Sequence, residues 1–150
     1  MKVGNHFKII SNDYLNFLRN YYDSKVPKNS YENTNKFFFG VTTIINGYLY
    51  YVPVSSFHKQ HKTNILIKNR KNQAISSLRF SFMIPIPKKN KHILKSLDLT
   101  DMPEHYRNLV EIEENFVLST KIELIEWQIM YIERESQIYS SKRFVVIFKC

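Results

Sequence analysis

Alternation of apolar and polar positions marks the first two thirds of the chain, and helical spacing marks the last third. Residues 37–45 and 48–55 are two runs rich in aromatic and β-branched side chains, separated by Asn46-Gly47. Asn-Gly suits a two-residue turn with positive φ at both positions, so these runs predict a β-hairpin. Residues 6–10 and 64–68 have the length and pattern of further strands. Residues 69–77 read as a polar, basic turn. Leu78, Phe80 and Phe82 then alternate with Arg79, Ser81 and Met83, which predicts a strand over 78–83. Ile84-Pro85-Ile86-Pro87 is expected to end it, because proline cannot donate to a central ladder.

Three helices are expected. Ser11 can cap one that runs to about Asp23, with Tyr14, Leu15, Leu18 and Tyr22 forming its core-facing stripe. Lys25-Val26-Pro27 ends it, since the residue before proline is pushed out of the α region. A second helix over about 103–115 follows a cap at Thr100 or Asp101. A third covers about 117–139, where Leu118, Ile122, Ile125, Ile129 and Ile132 recur at spacings of 4, 3, 4 and 3. That seam is expected to pack on the sheet or on the preceding helix. Phe144-Val145-Val146-Ile147-Phe148 favours a final strand, with a short buried helix as the other reading. The fold expected is α+β: one domain over 1–150, with a mainly antiparallel sheet and a helical C-terminal half.

Composition narrows the chemistry. The 150 residues include one cysteine, Cys150, so neither a disulfide framework nor a zinc cluster of cysteines is available. No apolar run suits a signal peptide or a bilayer span, and the reading is a soluble, cytoplasmic protein without a membrane role. Charge is unevenly placed. Residues 1–95 carry 16 Lys and Arg against 3 acids, a net +13, while residues 96–150 carry a net −4. A part this basic attracts polyanions, nucleic acid foremost.

The second hairpin strand runs straight into Ser55-Ser56-Phe57-His58-Lys59-Gln60-His61-Lys62. A strand end can therefore present two hydroxyls, two imidazoles and two lysines together. A metal site lacks ligands, because His58 and His61 have no third partner in the sequence. A phosphate-cradling glycine loop and a marked serine–histidine–acid triad are also absent. RNA, however, carries its own nucleophile in the 2′-OH. Its cleavage needs only proton removal, charge neutralisation at phosphorus and protonation of the leaving oxygen. Tyr31, Lys36, Ser55, Ser56, His58 and His61 supply residue types for those steps, and neither a cofactor nor a metal is called for. Lys25, His58, Lys59, Lys62 and Lys68 are candidate RNA contacts, with Arg70, Lys71 and Arg79. Lys88 and Lys89, together with Lys91 and Lys95, read as an RNA-facing rim. The same residue types occur in RNA binders that cut nothing. A binding-only protein therefore stands as the alternative, and an interaction module using the helical seam as a third.

Several stretches together resemble the ToxN/AbiQ family of type III toxin–antitoxin toxins. They are Asp23-Ser24-Lys25-Val26-Pro27, Tyr31 with Lys36, Gly40-Val41 through Asn46-Gly47, and Val52-Pro53-Val54-Ser55-Ser56 with His61-Lys62. Arg79-Phe80-Ser81-Phe82-Met83-Ile84-Pro85-Ile86 and Asp101-Met102-Pro103 with Tyr106-Arg107 continue the match. The resemblance implies a strongly twisted antiparallel sheet with helices, similar to the MazF/Kid toxins. It also implies a metal-independent endoribonuclease that leaves a 2′,3′-cyclic phosphate and serves in phage abortive infection or locus maintenance. The partner implied is a small structured antitoxin RNA, a pseudoknot, cut from a repeated precursor and held in a closed alternating assembly. Cellular or phage RNA would be the other substrates. By motif, Ser56 matches the family's principal hydroxyl and Ser55 the preceding Ser/Thr. Tyr31 and Lys36 match the Tyr and Lys of the groove, and His61 a histidine common after the serines. Phe57-His58 departs from the family's usual Pro-Lys, placing an imidazole where a fixed cation is usual.

Overall fold

The computed structural model describes residues 7–26, 30–31, 34–35, 37–45 and 47–138. His6, residues 27–29, 32–33 and 36, Asn46 and the expected final strand at 143–149 lie outside the described residues. The elements in order are β1 (Phe7–Ile10), α1 (Asn12–Tyr21), β2 (Ser30–Tyr31), β3 (Thr34–Asn35), β4 (Phe38–Ile45) and β5 (Tyr48–Ser55). β6 (Asn64–Lys68), β7 (Ala74–Arg79), β8 (Ile84–Pro87) and β9 (Leu94–Ser96) follow, then α2 (Glu104–Ser119) and α3 (Lys121–Ile138). The main sheet has seven antiparallel strands in the order β6-β7-β5-β4-β1-β9, with β8 also on β5. β2 and β3 form a separate small ladder.

β5 is the centre, and its sequence says why. Leu49 to Val54 are all buried, as expected of a strand covered on both faces. Tyr50, Val52 and Val54 point into a core with Val110, Val117, Leu124, Tyr131 and Ile132 of α2 and α3. Leu49 and Tyr51 point the other way, into a core with Leu15 and Leu18 of α1. The sheet is thus one layer between α2–α3 and α1.

The expected hairpin is present. Ile45 pairs with Tyr48 across a two-residue connection, and Gly47 has φ +81°. Gly40 pairs with Tyr51, and a Cβ at residue 40 would fall inside the Tyr51 ring. Glycine is required there because the ring lies directly over it. The β4–β5 register shifts between Gly40 and Ile44, opposite Tyr50. The buried amide of Gln128 donates to the Tyr50 carbonyl (3.2 Å) at this interruption.

The expected strand at 78–83 is corrected. β7 already begins at Ala74, inside the expected turn, and ends at Arg79; Phe80–Phe82 is a 3-10 turn. The chain then rejoins β5 as β8, prolines included. The reason is parity. β8 has a strand on one side only, and Pro85 and Pro87 share one parity, so their missing N–H positions face outward. Lys88, of the opposite parity, donates its N–H to the Gly47 carbonyl (3.2 Å). The outward carbonyl of Pro85 accepts from the Tyr14 hydroxyl (2.5 Å), so α1 covers this edge. β9, in the segment read as a rim, is a further strand that pairs with β1.

The last two helices meet later than expected. α2 continues to Ser119, and the break is at Thr120, whose hydroxyl donates to the Phe116 carbonyl (2.8 Å). The inward face of α3 is Leu124, Gln128, Tyr131 and Ile132; Leu118 is exposed on α2. Of the expected seam, Ile132 lies on this face and Ile125 packs half-buried against the core, while spacing misses Leu124 and Gln128 because apolar residues occur almost all round α3. Trp127 and Tyr131 close on Phe80, with ring centroids 6.0 and 6.4 Å away.

Candidate active site

β5 leaves the sheet at Ser55, which pairs with Ser77 of β7. The Ser55 hydroxyl accepts from the Phe57 N–H (3.2 Å), and the Ser77 hydroxyl donates to the Phe57 carbonyl (2.5 Å). Ser55 is thereby engaged in the turn, while Ser56 at its tip is exposed. His58 Nδ1 lies 3.1 Å from the Ser56 carbonyl.

The loop after Ser56 is built around Asn64, the first residue of β6, which is 2% exposed. Asn64 Oδ1 accepts from the His61 N–H (2.8 Å) and from Gln60 Nε2 (3.0 Å), and Asn64 Nδ2 donates to the Lys59 carbonyl (2.9 Å). Gln60 Nε2 also donates to the carbonyls of His61 (2.7 Å) and Asn64 (2.9 Å). Side-chain amides thus occupy backbone groups that a ladder would otherwise pair.

One side of the loop is stacked. The Arg79 guanidinium lies 4.6 Å from the Phe82 ring centre and 4.8 Å from that of Phe57. Phe57 in turn stacks on His61, with centroids 5.0 Å apart. A cation between two rings is held by its faces, which leaves the N–H donors at its edge available.

The structure gathers some of the expected site residues and separates others. His58, Lys59, His61 and Lys62 are exposed on the loop beside Ser56. Lys68, Arg70 and Lys71 belong to the β6–β7 hairpin. β7 passes Ser55 at Ser77 and begins at Ala74, so this hairpin reaches roughly 10 Å beyond β5 on the Ser56 side. Its turn is fixed by Asn69 Oδ1, which accepts from the N–H groups of Lys71 and Gln73 (3.0 Å each). Lys88 and Lys89 follow Pro87, which pairs with Tyr48 at the opposite end of β5, roughly 23 Å from Ser55. They form no part of the Ser56 end. Lys25 is exposed beside Val26, which is buried in the core under α1. Tyr31 pairs through its backbone with Thr34. Lys36 lies outside the described residues; the next residue, Phe37, accepts at its carbonyl from the Val54 N–H (3.1 Å), so β4 is entered beside the end of β5.

Sequence reasoning missed the buried Asn64 and Ser77 and the exposed Gln60, because amides and hydroxyls have no hydrophobic period. It also missed Glu113, buried in α2, which accepts from the Ser76 hydroxyl (2.6 Å) on the underside of β7. Burial, and then the charge of Glu113, pushes the Tyr106 phenol up; burial alone raises that of Tyr51. Among the described residues no three His, Cys, Asp or Glu side chains gather as a metal set, and no helix is long and apolar enough to cross a membrane.

The family model for the toxin ToxN of type III toxin–antitoxin systems matches residues 6–144. The chain belongs to this family. An endoribonuclease ToxN of Bacillus thuringiensis subsp. kurstaki is 33% identical over 107 residues, which is 69% of this chain. The match spans 55% of that relative, about half its length. A solved structure of a type III toxin–antitoxin system, in which a non-coding RNA pseudoknot selectively inhibits the toxin, superposes with a TM-score of 0.77 at 26% identity. It covers 91% of this chain and 82% of the other. A second solved structure, of a bacterial antiviral system regulated by a processed non-coding RNA, gives a TM-score of 0.76 at 22% identity, covering 91% and 90%. The antiparallel sheet with helices is therefore the ToxN architecture.

Proposed function

We propose that this chain is an endoribonuclease toxin that cuts RNA without a metal ion. The 2′-OH attacks the adjacent phosphorus and leaves a 2′,3′-cyclic phosphate and a 5′-hydroxyl. The observation that carries this reading is the exposed Ser56 at the end of the central strand, on a loop held in place by Asn64 and by the Arg79–Phe57–His61 stack. Its surroundings suit a polyanion: between residues 33 and 97 the chain has no aspartate or glutamate. Ser56 orients the 2′-OH or the scissile phosphate. Lys36 neutralises the phosphorane or protonates the leaving oxygen. Tyr31 stacks on a base and Ser55 shapes the turn. His61, Lys59, Lys62, Lys68, Arg70, Lys71 and the Arg79 edge hold flanking phosphates. Lys25, Lys88 and Lys89 reach more distant parts of the RNA.

The inhibitor in this reading is a small structured RNA, a pseudoknot, that the toxin cuts from a repeated precursor and then retains in a closed alternating assembly in the cytoplasm. The pseudoknot-inhibited toxin at 26% identity supports it. Defence against phage is the role proposed, and the antiviral system that shares the fold is in keeping with it.

The test is cleavage by purified chain, stripped of nucleic acid, in excess EDTA. Cyclic-phosphate ends, and a loss on the order of 10²–10³-fold in Ser56→Ala with RNA binding kept, are expected. Folded wild-type protein that binds RNA and cuts none would leave the binding-only reading in its place.

A further inference from the structure

We infer that His58 is the group that takes the proton from the attacking 2′-OH, and that the Ser56 carbonyl fixes which of its nitrogens does so. This rests on the RNA-cleaving reading of the Ser56 site. A carbonyl oxygen only accepts, so the 3.1 Å contact from His58 Nδ1 to Ser56 O is a hydrogen bond only with the proton on Nδ1. In the neutral ring the lone pair is then on Nε2. An imidazole whose far nitrogen is held by an acceptor is the usual arrangement of an oriented base.

The acceptor here is a backbone carbonyl, and the local chemistry accounts for that. β5, β6, β7, β8 and their connections carry no carboxylate. Lys59, His61 and Lys62 share the loop with His58, and Arg79 approaches from the end of β7 against Phe57. Lys68, Arg70 and Lys71 extend from the β6–β7 hairpin. The carboxylate of α2 that reaches β7, Glu113, is bonded to Ser76 and buried. The orienting acceptor also belongs to Ser56 itself, so one residue offers the hydroxyl that positions the substrate and the carbonyl that sets the base.

The two imidazoles differ. The His61 ring stacks on Phe57, a contact that sets a ring plane and leaves the tautomer open. His58 is exposed, with its tautomer set. In the step proposed, Nε2 of His58 takes the 2′-OH proton and the 2′-oxygen bonds to phosphorus. The P–O5′ bond breaks, and the 5′-oxygen takes a proton from water.

The test is single-turnover cleavage of an RNA with one scissile site by full-length chain from pH 5 to 9. His58→Ala is compared with His58→Asn, whose amide can still donate to the Ser56 carbonyl. Wild-type cleavage is expected to rise with pH and then level off, as a base that must be free of its proton requires. Both variants are expected to lose on the order of 10²–10⁴-fold in rate, to lose that rise and to bind RNA nearly as well. Imidazole added to the buffer is expected to restore part of the rate, in proportion to its free-base form, while His61→Ala keeps the pH profile. Wild-type rate and profile in His58→Asn, or a loss that imidazole leaves unchanged, would overturn the assignment while Ser56→Ala still loses on the order of 10²–10³-fold in rate. Failure of wild type to cut at any pH would overturn the RNA-cleaving reading as well.

Discussion

At its Gly47 end, β5 is bracketed by ladders on both sides: Ile45 and Ile44 pair with Tyr48 and Leu49, and Pro87 and Ile86 pair with the same two residues. At its Ser56 end the partner ladder is short, Val54 and Ser55 against Leu78 and Ser77, and then stops. Past that point the backbone is held by Ser55, Ser77, Asn64 and Gln60 side chains and by the stack on Arg79. A ladder uses groups that every residue but proline has, so the Gly47 end depends little on side-chain identity. The Ser56 end depends on particular amides and hydroxyls. A loop fixed in this way keeps its backbone still while leaving Ser56, His58 and the lysines in solvent, which suits the RNA site proposed.

The contrast is broken most directly at Asn64. Asn64→Ala leaves the groups it bonded, His61 N–H and the Lys59 carbonyl among them, without partners, and a loss of about 2–3 kcal/mol is expected. Denaturant melts measure the loss, cleavage assays should show a rate drop beyond the unfolded fraction, and limited proteolysis should open at 57–63. Gly40→Ala tests the other support. Its Cβ meets the Tyr51 ring, and the overpacking is expected to cost about 1–3 kcal/mol. The folded fraction should nonetheless cleave at the wild-type rate, since this strain lies in the ladder and away from the loop. A third, smaller effect is expected for Phe57→Leu, which removes an Arg79 partner worth about 1 kcal/mol. Proteolysis of the loop should quicken while the melt barely moves.

The smallest effect concerns the core on both sides of the sheet. Tyr51 and Tyr106 have folded pKa values above the ordinary phenol value. Below about pH 10 both phenols are protonated in either state and stability is unaffected; above it the folded form binds more protons and stability falls as pH rises. Alkaline melts should show that decline beginning above pH 10 and reduced in Tyr106→Phe.

The sequence made the ladder end legible and left the loop end half-read. Asn46-Gly47 between two β-rich runs announced the hairpin, and continuous burial from Leu49 to Val54 follows from the unbroken apolar run. The serines, histidines and lysines after Val54 marked a candidate site, and Ser56, His58, Lys59, His61 and Lys62 are exposed together on one loop. What holds them did not show, because Asn64 and Ser77 look like ordinary polar residues until the fold buries them. The prolines of β8 misled for a definite reason: a rule for central strands was applied to an edge, where parity lets two prolines pass. On α3 the expected seam included Ile132 but missed Leu124 and Gln128, because isoleucines on several faces blur the period.

The central claim is that the Ser56 end cuts RNA by using the RNA's own 2′-OH. The most direct measurement replaces that one hydroxyl at the scissile nucleotide with hydrogen in an otherwise unchanged RNA. The account predicts intact binding and no cleavage at that bond. Cleavage of the deoxy-substituted bond at the unsubstituted rate would contradict it, because the nucleophile would then have to come from elsewhere.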